Sequence, residues 1–77
     1  MNRLPMLNVK TLERVLYQLG FIQVRRKGSH VFYRHLNGKT TTIPHHTGRD
    51  LARPLLREIL REIHLTPGQF LDELNNL

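Results

Sequence analysis

Cysteine is absent from this 77-residue sequence, which excludes disulfides, a thiolate zinc site and a cysteine nucleophile. No apolar run is long enough to span a bilayer, and residues 1–5 lack the apolar centre of a secretion signal. A chain of this length buries only about 60% of the surface that its unfolded form exposes, so it holds one small core. We therefore expect a single cytoplasmic domain over residues 1–77, with no membrane partner and with residues 1–6 as a loose extension.

Acidic residues are also few. The sequence has 6 Asp and Glu residues against 12 Lys and Arg residues, which gives a formal net charge of +6. The cations cluster, whereas most of the acids lie in the last third of the chain. This pattern favours an anionic partner, with nucleic acid ahead of a membrane surface, over ordinary solubilising charge.

Hydrophobic periodicity predicts helices towards both ends of the chain and strands between them. Asn8 is a good N-cap for a helix with an apolar stripe, and Gly20 suits the cap at its end. In chain order, the predicted elements are a helix over 9–19, strands over 21–26, 30–36 and 40–43, a helix that carries Leu55 to Ile63, and a short helix after the capping-box sequence 66–69. The order α-β-β-β-α predicts an α+β fold, with helices on one face of a three-stranded antiparallel sheet, as in double-stranded-RNA-binding domains.

The start of the second long helix has two interpretations. Residues 47–53 look like a loop. Pro54 suits the first helical position, or it lies slightly later in the first turn if Asp50 is the N-cap. The basic residues of this helix recur every four positions and form a ridge that is either solvated or in contact with phosphate: Arg53, Arg57 and Arg61.

The sequence Asn37-Gly38 is a strong hairpin signal that favours a two-residue type I′ turn. With that turn His30 is opposite His45, and residues directly opposite point to the same side of a sheet, with Cβ atoms roughly 5 Å apart. A bulge that shifts the ladder by one residue would put His46 in place of His45. The turn chemistry therefore predicts two imidazoles near each other at the open end of the hairpin.

Paired histidines suit metal-free cleavage of RNA. RNA carries its own nucleophile, the 2′-hydroxyl, beside each phosphodiester. A protein needs only to remove that proton, protonate the leaving oxygen and stabilise the negative phosphorane. Histidine suits proton transfer because its unperturbed pKa lies near neutrality. We predict that His30 is the general acid or base and that His45 or His46 assists it.

The basic turn ahead of the histidine is predicted to bind phosphate. Arg25 and Arg26 end the first predicted strand, and Lys27-Gly28 is the predicted turn. Cations at this position would stabilise the charge that develops on the phosphorane. Ser29, or backbone N–H groups around Gly28, would add a hydrogen bond to the phosphate.

Three other interpretations stay open. A histidine on a strand is most often structural. A zinc site from His30, His35, His45 and His46 is a second, although odd and even positions of one strand face opposite sides and no acidic residue lies in that stretch. The third is a nucleic-acid-binding module without catalysis, which explains the charge but not the paired histidines.

The sequence resembles the HicA family of bacterial toxins over roughly residues 7–74. Short segments in a fixed order carry the resemblance: Leu19-Gly20-Phe21, Lys27-Gly28-Ser29-His30, Ile43-Pro44-His45-His46, Leu56-Arg57-Glu58-Ile59-Leu60, Leu65-Thr66 and Phe70. The resemblance implies a double-stranded-RNA-binding-like fold. It also implies the toxin of a type II toxin–antitoxin system, with a role in stress response.

The resemblance further implies chemistry and partners. The implied activity is a metal-independent, ribosome-independent endoribonuclease that cleaves mRNA and needs no cofactor. The family's catalytic histidine falls on His30. Its proline-x-histidine motif falls on Pro44 and His46, which favours His46 over His45 as the assisting residue. A HicB-type antitoxin that masks the active surface is the expected protein partner, and a non-catalytic RNA-binding module of the same fold is the alternative.

Overall fold

The computed structural model describes residues 4–46 and 48–77. In chain order its elements are β1 (Leu7–Asn8), α1 (Val9–Gln18), β2 (Ile22–Lys27), β3 (His30–Arg34), β4 (Thr40–Pro44), β5 (Asp50–Leu51), α2 (Arg53–Glu62) and α3 (Pro67–Asn75). Within these residues, β2, β3 and β4 form one antiparallel sheet in sequence order, and β1 pairs with β5 in a second. The predicted α+β fold of α-β-β-β-α order is therefore confirmed. No helix in this part of the chain has the length and apolar character that crossing a membrane requires.

Helix α1 follows from its caps and its apolar stripe. The side chain of Asn8 accepts a hydrogen bond from the backbone N–H of Thr11 at 2.9 Å, which satisfies one of the free donors of the first turn. The helix buries Leu12, Val15 and Leu16 against the sheet. It ends within one residue of the prediction, and the chain then turns at Gly20.

The second long helix starts between the two predicted positions. Ala52 is its N-cap and makes no side-chain capping bond, and Pro54 lies at the second helical position. Asp50 is therefore not the cap, because it belongs to strand β5. In the last helix the capping box is confirmed, since Thr66 and Gln69 each accept a hydrogen bond from the other's backbone N–H.

The N-terminal segment is held by the core, so the prediction of a loose extension is wrong at Leu4. The side chain of Leu4 is fully buried, and Arg53 donates from Nε to the Leu4 carbonyl at 2.6 Å. Leu7 then pairs with Leu51 in the small sheet, a pairing not predicted from the sequence. Residues 1–3 of that extension, and Thr47 of the predicted loop over 47–53, lie outside the described residues.

The turn between β2 and β3 consists of Gly28 and Ser29, because Lys27 pairs directly with His30. Gly28 has φ +59°, whereas the φ of Ser29 is not positive. This combination is that of a type II′ turn, in which glycine takes the first central position. The predicted turn at Lys27-Gly28 is therefore displaced by one residue, and Lys27 belongs to the strand.

The loop between β3 and β4 has three residues, 36–38, and the predicted two-residue type I′ turn is wrong. The N–H of His35 donates to the carbonyl of Lys39, and the N–H of Gly38 donates to the carbonyl of His35, both at 2.9 Å. Only Gly38 has a positive φ in this loop, whereas type I′ requires two such residues. The arrangement matches a three-residue hairpin loop that ends in a glycine bulge.

The loop changes the register of the hairpin. His30 is opposite Pro44 and Phe32 is opposite Thr42, in place of the predicted pairs His30 with His45 and Phe32 with Ile43. The side chain of His35 explains the difference, because it anchors the loop. Its Nδ1 accepts a hydrogen bond from the N–H of Asn37 at 3.0 Å, and its Nε2 lies 3.1 Å from the carbonyl oxygen of Leu19.

Strand alternation gives the main sheet a helix face and an open face. The helices cover the side of Val31, Tyr33 and Ile43, which are all fully buried, and Phe70 of α3 joins the same core. The opposite side, here called the open face, is formed by these residues of the three strands: Ile22, Val24, Arg25, Lys27, His30, Phe32, Arg34, Thr40, Thr42 and Pro44. The side chains of the open face have no helix against them in the described part of the chain.

Candidate functional site

His30 lies at the end of the sheet, on the open face. It is the first residue of β3 and follows the Gly28-Ser29 turn. Its side chain is exposed. In the sheet it has Lys27 on one side and Pro44 on the other, so a cation shares its face. The predicted proton-transfer residue is thus accessible and next to a positive charge.

Arg25 is also on the open face, two positions along the strand from Lys27. It is opposite Phe32, and its guanidinium carbon lies 4.5 Å from the centroid of that ring. This cation–π contact holds the charge close to the sheet surface. Arg25, Lys27 and His30 therefore share one surface.

Arg26 is not part of that surface. It pairs with Val31, so it points to the helix face, and its Nε donates to the carbonyl of Gly28 at 3.1 Å. The predicted phosphate-binding run is therefore divided by strand alternation. Two of its cations lie beside His30, whereas Arg26 lines a cleft behind the turn.

His45 lies on the helix face, so the prediction that it pairs with His30 is wrong. Its backbone N–H donates to the carbonyl of Ser29 at 2.6 Å, which places it one position beyond the last pair of the ladder. Its imidazole Nε2 lies 3.0 Å from the hydroxyl of Tyr33. The alternative shift, with His46 opposite His30, is also wrong because Pro44 occupies that position.

A partly buried network joins His45 to helix α1 through Tyr33. The Tyr33 hydroxyl donates to Oε2 of Glu13 at 2.5 Å, and the same carboxylate oxygen lies 3.9 Å from His45 Nε2. A hydroxyl has one proton, so His45 Nε2–H must be the donor to the tyrosine oxygen. The other ring nitrogen of His45 is then free to accept a hydrogen bond.

Burial shifts the ionisation of this network. It raises the pKa of Tyr33, and the hydrogen bond and charge of Glu13 raise it further. Burial lowers the pKa of His45; Glu13 opposes that effect, and the positive charges of Arg26 and Lys10 add to it. His45 is consequently a neutral imidazole near pH 7.

This network was not predicted from the sequence, although one residue indicated it. Glu13 lies on the apolar stripe of α1, four residues after Val9 and three before Leu16. A carboxylate on a buried stripe needs a polar partner. The identity of that partner depends on tertiary packing, because Tyr33 and His45 are far away in the sequence.

His46 lies in the cleft behind the turn. It follows the end of β4, and its side chain is exposed. The cleft has a volume of about 550 Å³ and is lined by these residues: Asn8, Val9, Lys10, Arg26, His45, His46, Gly48, Arg49 and Asp50. His46 therefore faces several cations, but it is not directly opposite His30 in the sheet.

The central histidines do not converge on one point. His30 is on the open face and His45 is on the helix face, whereas both ring nitrogens of His35 lie within hydrogen-bonding distance of the backbone. Among the described residues, no three histidine, cysteine or acidic side chains are grouped as metal ligands would be. The geometry gives the zinc interpretation no support.

The far end of the open face is apolar. Ile22 is 61% exposed, Val24 is 42% exposed, and Leu36 in the hairpin loop is fully exposed. Val24 is the extra residue of a β-bulge, because Gln23 and Arg25 pair with consecutive residues of β3. With Arg34 and Gly20, these side chains surround a depression of about 490 Å³. Exposed apolar side chains grouped in this way are typical of interaction surfaces.

The fold and site together define a small, basic α+β protein whose open sheet face presents a histidine beside cations. The family described as HicA toxin of bacterial toxin-antitoxin matches residues 9–65 of the 77. The chain therefore belongs to the HicA toxin family. It is the toxin component of a toxin–antitoxin system, and its partner is an antitoxin. A comparison with curated proteins found no match.

Proposed function

We propose that this toxin is a metal-independent, ribosome-independent endoribonuclease that cleaves mRNA, with His30 as general acid or base. The observation that carries the proposal is the position of His30, exposed on the open face beside Lys27. An open face suits a long, flexible substrate, because single-stranded RNA needs no deep cavity. Membership of the HicA family supports the same activity.

The reaction needs no group that the chain lacks. The 2′-oxygen of one nucleotide attacks the adjacent phosphorus, the bond from phosphorus to the 5′-oxygen breaks, and a 2′,3′-cyclic phosphate and a 5′-hydroxyl form. One proton leaves the 2′-hydroxyl and one is given to the 5′-oxygen. His30 carries out one of these transfers, and Lys27 and Arg25 stabilise the negative phosphorane on the same face.

Ser29 and Gly28 support phosphate binding from the turn. Both belong to the two-residue turn that leads directly into His30, and both lie at the exposed end of the sheet. In the proposed complex, the Ser29 hydroxyl or the backbone N–H groups around Gly28 donate a hydrogen bond to the phosphate. His46 is the proposed assisting residue, since it follows Pro44, the neighbour of His30, by two positions.

The first prediction concerns His30. His30→Ala should reduce cleavage of a single-stranded RNA, measured in the presence of EDTA, by about 10²–10⁴-fold, because it removes a proton-transfer group. Cleavage by the unmodified protein should leave 2′,3′-cyclic phosphate ends. His46→Ala in the same assay tests the assisting role.

The matched control is His64→Asn. His64 is an exposed histidine with φ +57°, a backbone conformation that asparagine tolerates well, so this variant keeps the fold and removes an unrelated imidazole. Cleavage at the normal rate by His30→Ala would contradict the proposed role. Loss of wild-type cleavage in EDTA would contradict metal independence.

A second candidate function is a non-catalytic RNA-binding module of the same fold. The separation of His30 from His45 on opposite faces favours it, since the expected pair of imidazoles is not opposed across the strands. The same assay distinguishes the two. Binding of RNA without any cleavage by the unmodified protein would favour the module.

We also propose that a HicB-type antitoxin masks the open face. Ile22, Val24 and Leu36 are exposed on the same side of the molecule as His30. A protein that covers these apolar side chains would extend along the strands towards His30 and block access of RNA.

A further inference from the structure

The cleft behind the Gly28-Ser29 turn is strongly cationic. Lys10 comes from the first turn of α1, Arg26 from β2, and Arg49 from the segment before β5. Asp50 is the one acid among the lining residues. In the described part of the chain, none of these three cations forms a salt bridge with a carboxylate. Their charges are therefore available to a ligand.

The cleft also offers hydrogen-bond groups of fixed orientation. His45 has its Nε2–H bonded to Tyr33, so its imidazole is held against the floor of the cleft. His46 lines the same space, and the backbone N–H of Arg49 donates to the His46 carbonyl at 3.2 Å, which keeps these two residues close. Of the lining residues only Val9 has a large apolar side chain. This composition suits a phosphate better than an apolar group.

The cleft borders the turn that carries His30. The carbonyl of Ser29 accepts from the N–H of His45, and the carbonyl of Gly28 accepts from Arg26 Nε, so both walls are bonded to the turn. His30 lies directly after that turn, on the other face of the sheet. The cleft and His30 therefore lie next to the same turn, at one end of the sheet.

We propose that this cleft binds a second phosphate group of the RNA substrate, next to the phosphate at His30 along the strand. The inference rests on the proposed function, since it assigns a further contact for the same substrate. Lys10, Arg26 and Arg49 neutralise the phosphate, and the cleft fixes the direction in which the RNA crosses the turn.

The test is the salt dependence of RNA binding. The probe is a single-stranded 2′-O-methyl oligonucleotide, which lacks a free 2′-hydroxyl and is not cleaved by the proposed chemistry. The variant is Lys10→Gln with Arg49→Gln, at two exposed positions. Each neutralised phosphate contributes about 0.7 to the slope of log affinity against log salt for single strands, so loss of the one phosphate in the cleft should make the slope shallower by about 0.7. Affinity at low salt should fall about tenfold.

Two controls make the result specific. Arg57→Gln with Arg61→Gln removes the same number of positive charges from exposed positions of α2 that do not line the cleft, and it should leave the slope nearly unchanged. Lys10→Arg with Arg49→Lys keeps the charges and should keep the slope. An unchanged slope in the cleft variant, or an equal change in the α2 variant, would overturn the inference.

The salt-dependence test of the cleft and the cleavage test of the enzyme activity can each fail without the other. Cleavage of ordinary RNA by the unmodified protein tests the enzyme activity on its own. If cleavage occurs and the slope does not depend on Lys10 and Arg49, the cleft inference fails alone. If the slope depends on them but no RNA is cleaved, the enzyme proposal fails and the cleft remains a binding site for RNA phosphate.

Discussion

At the scale of single residues, His45 is the side chain whose environment differs most from the one expected. It was predicted beside His30, and it instead bonds to Tyr33 against the helix face. The groups that face it are Glu13 of α1, Tyr33 of β3, Arg26 of β2 and Lys10 of α1. Its pKa is lowered because burial disfavours the charged imidazole more than Glu13 favours it.

This lowered pKa predicts a pH dependence of stability. In the unfolded chain His45 titrates near pH 6.5, whereas in the folded protein it titrates lower. Between those two values the unfolded state binds more protons, so the free energy of unfolding falls as the pH decreases below about 6.5. Above that pH the contribution of His45 is fully present.

The measurement is urea unfolding of the wild type and of His45→Gln between pH 8 and pH 5. Glutamine keeps a hydrogen-bond donor for Tyr33 but does not titrate, so the variant should lose less stability on acidification than the wild type. The other histidines are present in both proteins and cancel in the comparison. Parallel curves for the two proteins would show that His45 does not titrate differently on folding.

At the scale of elements, local sequence signals predicted the caps of the first and last helices but placed both turns of the main sheet incorrectly. The capping residues Asn8 and Thr66 both bond as their sequence context predicts, because a cap needs only residues within one turn. The Asn37-Gly38 turn depends on more distant residues. The contact of His35 with the carbonyl of Leu19 holds the loop in a three-residue form that the dipeptide does not encode.

The capping box of α3 gives a prediction at this scale. Thr66→Ala should lower the free energy of unfolding by about 1 kcal/mol, because the N–H of Gln69 loses its acceptor at the start of the helix. Thr66→Ser keeps the hydroxyl and should lower the free energy of unfolding much less. Both variants are compared by urea denaturation. Equal losses for alanine and serine would mean that the methyl group of Thr66, rather than its hydroxyl, is responsible.

At the scale of the whole molecule, the open face combines a cationic end and an apolar end. Arg25, Lys27 and His30 lie towards the Gly28-Ser29 turn, whereas Ile22 and Leu36 lie towards the opposite end. The net charge of +6 favours an anionic partner but does not account for the exposed apolar residues. Under the proposal that the antitoxin covers the open face, the apolar end is the part that the partner would bury.

The final prediction tests that partner surface. Ile22→Ser with Leu36→Ser should weaken binding of the cognate antitoxin by roughly 2 kcal/mol, or about 30-fold, because two apolar side chains no longer become buried. The free energy of unfolding should change little, since both residues are largely exposed in the free toxin. Affinity is measured by titration calorimetry, and unfolding by urea.

Leu77→Ser is the control for this surface, because Leu77 is an exposed apolar residue at the C-terminus, outside the open face. It should bind antitoxin normally. Equal weakening by Leu77→Ser would indicate a general effect of lost hydrophobic surface. Full affinity of the double variant would show that the antitoxin does not contact the apolar end of the open face.

The amino-acid sequence alone determined the α+β order, the N-caps of the first and last helices, the basic character and the start of a strand at His30. These depend on composition, on periodicity and on contacts between near neighbours. Tertiary structure decided which face each strand residue occupies, because a change of one residue in the hairpin register moves side chains to the other side of the sheet. That single change separated His45 from His30 and placed His45 next to Tyr33 and Glu13 on the helix face.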